Sequence, residues 1–355
     1  MKIAYHMPSL DNIYAQRTIY WGFKHAFEDL GHKFLTFTAD DNLGKFLTKH
    51  RPDIFITSSH FYYQKYLDIG LLKKFRDKGL VLITKVDFWQ SPLARINEAK
   101  SLKGDKKTLR LMRQGLLGDA FFHVVEQGDK RMEGFEKGTG YKYQTIPLAA
   151  DKTIMQHIFE PKFESDIAYI GTYLPAKKEF FQERVFPLRK KYNLKLYGQD
   201  WTAADRTLGM VQRIGQYFNL PLLRSIQKPK LKLDDEAKIY SSAKISINVH
   251  EEYQKKFGGD CNERTFKIPL CGGFEITDDV ACIRKYFKAD KEIIIAKNKK
   301  EWFKKIEYYL EHPEEKQSII KAGRRVVEKY HTYHNRAEQL LKIARDIIFK
   351  NKKRN

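Results

Sequence analysis

The 355-residue sequence predicts an α/β protein built from two doubly wound, Rossmann-like units, each a parallel sheet covered by helices. Three observations predict it. Short apolar runs alternate with longer amphipathic segments along the whole chain, as strands separated by helical crossovers do. The alternation occurs twice, with an irregular stretch between the two series. A composition of 42% hydrophobic and 14% aromatic residues supplies two full cores, and the length accommodates two domains of the usual size, roughly 100–200 residues each.

In the first half, strands are expected at KIAYHM, KFLTFTA, DIFITSS, LVLITKV, AFFHVVE and YQTIPLA, with amphipathic helices such as 17–30 and 67–78 between them. The stretch 151–165 carries Pro161 and stops at DIAYIG, where a new strand begins, so the domain boundary is set there. The second half predicts strands at DIAYIG, LKLYG, AKISINV, FEITD and EIIIA. Helices are expected at 177–191, 301–310 and 335–349. The resulting division is 1–155, 156–334, and a closing helix with a basic tail over 335–355. Open α/β sheets bind ligands beyond the C-terminal ends of their strands, so chemistry is expected in the loops that follow strands.

The formal net charge of +22 attracts polyanions, whether nucleic acid, an anionic membrane or an acidic glycan, without choosing among them. Runs at 103–107, at 228–232 and in the terminal KNKKRN read either as solvated faces and a frayed tail or as a functional basic surface. No segment approaches the roughly 20 apolar residues needed to span a bilayer, and MKIAYHMPSL lacks the pattern of a signal peptide. Cys261, Cys271 and Cys282 are odd in number and lack zinc-site spacing. A reduced, cytoplasmic chain is expected, with peripheral contact at the inner face of the membrane as an extension.

Three strand-end motifs stand out in the second half. IGTYLPAKKEFF offers Gly171 and Thr172 at a tight turn, then Lys177 and Lys178 near a helix start, an arrangement suited to a diphosphate. The same pattern also describes a plain turn and a wet helix face. LKLYGQDW brings Tyr197, Gly198 and Trp201, either an aromatic wall for a base or sugar ring or core packing. GGDCNERTFKIPLCGGFEITDD combines Asn262, Glu263 and Arg264 with Phe266 and a Gly272–Gly273 stop before a strand. Pro269 makes its helix short or distorted.

The order DIAYIGTY, LKLYGQDW, EAKIYSSAKISINVH, NERTFKIPLCGGFEITDD, EIIIA and the closing helical region resembles the CgeB-like group, spore-maturation-type proteins related to the group 1 glycosyltransferases. It covers about half the chain, from position 166 to 341. The resemblance implies a GT-B fold, with two Rossmann-like domains facing each other across a cleft and the last helix crossing back to the first domain. It implies a nucleoside-diphosphate sugar, a UDP-sugar first, held mainly by the C-terminal domain, with no separate cofactor. Gly171 would then lie at the diphosphate loop, Tyr197 and Gly198 at the base pocket, and Asn262 and Arg264 at the phosphate or sugar, backed by Gly272 and Gly273. One departure stands out. Related enzymes place a glutamate after the phenylalanine to hold donor ribose hydroxyls, where this chain has Lys267, a donor in place of an acceptor. Lys267 can instead meet a phosphate or an acidic sugar.

Transfer requires charge stabilisation on the leaving diphosphate and a placed acceptor hydroxyl. Arg264 and Lys267 are the candidates for the first task, and Asp87, after LVLITKV, is the candidate for contact with sugar or acceptor. His6, His60 and His123 are weaker acceptor-side candidates. The acidic pairs Asp40–Asp41, Asp234–Asp235 and Asp278–Asp279 read as caps of helices or turns, so metal-independent transfer is expected, and the resemblance leans toward retention. The acceptor is a glycan, a teichoic-type polymer, a protein or modified DNA. The alternative is an inactive GT-B-shaped protein that binds a sugar nucleotide or a polyanion.

Overall fold

The computed structural model describes residues 1–10, 15–90, 101–226 and 231–353. Lys228 and Lys230 of the second basic run, and the last two residues of the tail, lie outside the described residues. The chain divides into two compact units. The first comprises Met1–Asn12, Phe23–Pro147 and His334–Asn355, and the second Ile13–Gly22 and Leu148–Tyr333.

The first unit holds β1 (Lys2–His6), β2 (Lys33–Phe37), β3 (Ile54–Ser58), β4 (Val81–Lys85), β5 (Ala120–His123) and β6 (Tyr143–Thr145). They form one sheet in the order β2-β1-β3-β4-β5-β6, parallel throughout. The intervening helices are α1 (Ala15–Asp29), α2 (Leu43–His50), α3 (Phe61–Gln64), α4 (Ile69–Arg76), α5 (Lys106–Arg113) and α6 (Phe135–Thr139). Capping residues set several helix starts: Asn42, Asp68 and Asp105 accept from the amides of Lys45, Leu71 and Thr108. Core residues include Leu35, Phe46, Phe55 and Leu72 in one cluster and Met112, Phe121, Val125 and Phe135 in another.

The second unit holds β7 (Ser165–Ile170), β8 (Leu194–Tyr197), β9 (Ala243–Asn248), β10 (Glu275–Asp278) and β11 (Ile294–Ala296), a parallel sheet in the order β11-β10-β9-β7-β8. Its helices are α7 (Lys178–Phe180), α8 (Ala203–Phe218), α9 (Pro221–Ser225), α10 (Leu233–Ser242), α11 (Glu252–Phe257), α12 (Arg264–Leu270), α13 (Ile283–Tyr286), α14 (Lys299–Glu311) and α15 (Pro313–Tyr330). Alternate residues of β7 enter opposite cores: Ile167 and Tyr169 pack with Trp302, Ala168 and Ile170 with Phe266. The closing helix α16 (Tyr333–Lys352) falls within the first unit from His334 onward, where His334 Nε2 bonds Asp29 at 2.9 Å and Arg336 donates to the Pro147 carbonyl at 2.9 Å.

Each strand expected from the sequence is present, most of them trimmed by a residue or two, AFFHVVE by three and YQTIPLA by four, while the strand at DIAYIG begins one residue earlier, at Ser165. The helix expected over 177–191 is not continuous. A 3-10 turn at Pro175–Lys177, the short α7, a π-helical turn at Phe181–Val185 and a second 3-10 turn at Phe186–Lys190 replace it. Pro187 lacks an amide hydrogen and would clash with the carbonyl four residues earlier, so a regular helix cannot continue through it. Helix α8 was not anticipated.

Candidate donor site

The site in the second unit begins at the junction of β7 and β8. Gly171 follows β7, and its amide donates to the Tyr197 carbonyl at 3.0 Å. A Cβ at Gly171 would meet the Tyr169 hydroxyl at 2.5 Å and Arg264 Nη1 at 3.0 Å. The glycine therefore makes room for a guanidinium. Gly198 lies against it with φ +108°, a conformation L side chains disfavour, and its Cβ would fall 2.4 Å from the Gly171 carbonyl oxygen.

Arg264 opens α12 and reaches back over the ends of β7 and β9. Nε donates to Asn248 Oδ1 at 3.0 Å, Nη1 to the Ile170 carbonyl at 3.3 Å and Nη2 to the Val249 carbonyl at 2.9 Å. The guanidinium carbon lies 5.3 Å from the centre of the Tyr169 ring. These hydrogen-bond acceptors are all neutral oxygens. The cation is oriented by dipoles and a ring face; burial alone would lower its pKa, but Tyr169, Tyr240, Glu251 and Asp278 nearby raise it. Asn262 joins through Nδ2 to Asn248 Oδ1 at 2.9 Å, while its Oδ1 accepts from the Arg264 amide at 3.0 Å.

Beneath this lies a buried polar chain. Asn248 Nδ2 donates to Glu275 Oε1 at 2.8 Å and to Thr265 Oγ1 at 3.1 Å. His250 Nδ1 bonds Asp278 Oδ1 at 2.7 Å, and Nε2 lies 3.2 Å from Thr265 Oγ1. Burial lowers the pKa of His250, with Asp278 opposing it. Burial raises that of Asp278, but contacts with His250 prevail and lower it overall. A neutral imidazole thus donates from Nδ1 to a carboxylate, and Nε2 accepts from the threonine hydroxyl. Thr265 is fully buried, so this hydroxyl–imidazole–carboxylate series holds the floor of the site and is not a nucleophile set. Burial also pushes Glu275 up to about 8, against the Asn248 bond and Arg264.

Of the other expected donor residues, Lys177 comes to this network but is buried, donating to the Val249 carbonyl at 3.1 Å and pairing with Glu251 at 3.1 Å. Lys178 is exposed and Thr172 half-buried in the turn. Tyr197 and Trp201 do not make one wall. Tyr197 packs on Phe163, whereas Trp201 stacks on Tyr173 at 5.1 Å in the opposite core. Phe266 is a core residue, its ring 5.1 Å from that of His331. Gly272 and Gly273 close α12, and a Cβ on Gly273 would lie 2.8 Å from the Tyr240 carbonyl oxygen.

Glu263 accepts from Thr18 Oγ1 and from the Tyr333 hydroxyl, which makes it a structural tie. Lys267 is buried between Glu236 at 3.1 Å and Glu263 at 3.3 Å. Burial alone would lower its pKa, but the two carboxylates reverse this and raise it. Its charge is matched inside the fold and is not presented as an open phosphate contact. Asp278 departs from the capping role expected of it: it is the buried partner of His250. Asp41 accepts from Thr38 in a turn, Asp234 and Asp235 lie in the first turn of α10, and Asp279 pairs with Arg284. The sequence reading gives no role to Asn248, His250 and Glu251, although they stand at the end of β9 or in the short loop after it. Among the described residues, no group of three or more His, Cys, Asp or Glu side chains is arranged to hold a metal ion.

In the first unit, the Asp87 amide donates to Ser59 Oγ at 3.0 Å. Burial raises the pKa of its carboxyl group, with His60 and Lys85 opposing, so these side chains share one neighbourhood. His60 also caps α3, its Nδ1 accepting from the Tyr62 amide at 3.2 Å. His6 and His123 are core groups. His6 Nδ1 bonds Thr57 Oγ1 at 2.9 Å and burial lowers its pKa to about 3, whereas His123 Nδ1 accepts from the Val125 amide at 3.1 Å. Neither belongs with the open acceptor-side groups it was expected to join.

Residues 177–342 match the family model described as glycosyl transferase-like. Spore protein CgeB of Bacillus subtilis (strain 168) is 22% identical over 191 residues, 50% of this chain and 54% of that protein. The chain thus spans about half the length of the curated relative it matches. Among solved structures, sucrose-phosphate synthase from Thermosynechococcus elongatus superposes with a TM-score of 0.63 at 12% identity, covering 98% of this chain and 99% of that one. An alpha-glucosyltransferase in complex with UDP and a 13-mer DNA gives 0.62 at 12% identity, covering 98% and 99%. Anabaena HepE in complex with UDP-glucose gives 0.60 at 11% identity, covering 98% and 100%. The family match over the C-terminal half makes this chain similar to the CgeB-like glycosyltransferases, and the architecture of both units is that of the GT-B fold.

Proposed function

We propose that this protein transfers a sugar from a nucleoside-diphosphate sugar to an acceptor hydroxyl, and that Arg264 holds the donor diphosphate. The observation that carries this reading is the half-buried guanidinium oriented by three neutral oxygens beside Gly171. A diphosphate offers the negative charge that none of these three oxygens carries, and the planar fork suits its oxygens. As the bond from the anomeric carbon to the leaving oxygen breaks, charge develops on the diphosphate where the cation already stands. Transfer in this reading is metal-independent and retains the anomeric configuration.

A UDP-sugar is the preferred donor, a choice supported by the UDP or UDP-glucose bound in several of the similar structures. Asp87 is assigned to the sugar or the acceptor, with His60 and Lys85 tuning its carboxyl group. The acceptor belongs to the glycan or polyanion class, in keeping with the net charge. The three buried free cysteines suit a reducing, cytoplasmic setting.

A thermal-shift screen against UDP-, GDP-, ADP-, CMP- and dTDP-sugars, with and without magnesium, tests the donor assignment. A rise in Tm for one nucleotide that needs no magnesium and disappears in Arg264→Ala is the expected result. No rise with any nucleotide sinks it. A rise without turnover toward any acceptor or water favours the alternative, a GT-B-shaped binding protein in which the buried Lys267 has displaced a catalytic arrangement.

A further inference from the structure

We propose that the α8–α9 hairpin is a docking element for an anionic lipid surface. This inference rests on different residues from the donor site and stands whether or not that reading holds. The hairpin lies between β8 and α10, and α8 packs principally on α9. Gly209, Gln212 and Gly215 form its buried side. Gly215 permits the close approach, since a Cβ there would lie 2.7 Å from the backbone nitrogen of Arg224.

The opposite side is apolar and open to solvent. Met210 is 53% exposed, Ile214 40%, Tyr217 41% and Phe218 62%. Their spacing of four, seven and eight residues puts them on one helical stripe. Leu220 and Leu222 extend the exposed apolar surface into the turn and α9. Helix α8 thus buries glycines and a glutamine and presents the stripe that an ordinary core-facing helix would bury, and a contiguous patch of this kind marks an interaction surface.

The charges around the stripe select the partner. Arg206 precedes Met210 by four residues and Arg213 follows it by three, so both exposed arginines lie along the same face. Apolar side chains bordered by cations suit the boundary between anionic headgroups and acyl chains, and the chain's net charge of +22 adds a long-range attraction. A second copy of the chain would bring these arginines against their own counterparts across a two-fold contact. A nucleic acid offers phosphates but no apolar phase for Met210, Ile214 and Phe218. No described helix is long and apolar enough to cross a membrane, and the contact proposed here lies in the plane of the interface.

Co-sedimentation of the full chain with phosphatidylcholine vesicles, with and without phosphatidylglycerol, tests the proposal. Wild type should sediment with the phosphatidylglycerol vesicles only. Met210→Ser/Ile214→Ser/Phe218→Ser should lower its partition coefficient by about tenfold or more, and Arg206→Gln/Arg213→Gln by severalfold, with melting temperatures unchanged. As a second measurement, Phe218→Trp should shift its emission to the blue on adding phosphatidylglycerol vesicles and not on adding phosphatidylcholine alone. Equal partition of wild type and the serine variant overturns the proposal, as does equal binding to neutral vesicles. So does a dimer mass in light scattering that the serine variant halves, which assigns the stripe to a second copy. Binding of duplex DNA lost with the arginines but kept in the serine variant assigns the face to nucleic acid.

Discussion

Arg264 is held by a fork of three acceptors on two strands and a side chain, and lysine cannot reproduce that geometry with a point charge. Arg264→Lys should therefore weaken UDP binding by about tenfold or more, read by calorimetric titration. Glu275 makes a second prediction at this scale. Its pKa is raised from 4.5 to about 8 by burial, so between those values the folded protein keeps a proton that the unfolded chain has released. Stability falls as pH rises through that window. Glu275→Gln, which keeps an acceptor for Asn248 without a charge, should abolish this fall and be more stable than wild type at pH 9 by on the order of a few kcal/mol in urea denaturation. An unchanged pH profile would mean that Glu275 titrates as an ordinary carboxylate.

Helix α12 and the β7–β8 junction show how elements carry the site. Lys267 lies one turn along α12 from Arg264, and its two carboxylate partners reach it from α10 and from the residue that precedes α12. Removing the cation while leaving both carboxylates buried should cost Lys267→Met about 3–5 kcal/mol in unfolding free energy, and adding Glu236→Gln should restore part of it. At the junction, Gly198→Ala combines a disfavoured φ with backbone overlap on Gly171. A loss of at least about 2 kcal/mol is expected, with UDP affinity falling alongside because Gly171 and Arg264 move together.

At the scale of the whole molecule, several buried groups set the acid limb of stability. His6, His123 and His250 are all held below the ordinary value of 6.5, chiefly by burial. The unfolded chain takes up protons below about 6.5 that the folded chain refuses, so stability declines as pH falls through this range. The depressed Asp278 adds to the decline at lower pH. Glu275 acts in the other direction, and in Glu275→Gln the pH of maximal stability should move upward in a series of thermal melts.

The sequence by itself determined the two series of parallel strands, because a strand buried on both faces is written locally as an apolar run between turn residues. It also marked Gly171, Asn262 and Arg264, since a glycine at a strand end and a polar helix start are local signals. Tertiary structure alone decided which charges are matched inside the fold. Lys177 and Lys267 read as phosphate contacts until Glu251 and Glu236, distant in sequence, and Glu263, one helical turn before Lys267, are brought against them. Asp278 reads as a cap until β9 and β10 lie side by side and deliver His250 to it. Trp201 and Tyr197 read as one wall until they enter opposite cores. The physical reason is common to all: periodicity and turn chemistry act between near neighbours, whereas the state of a buried charge depends on partners that only the packed chain supplies.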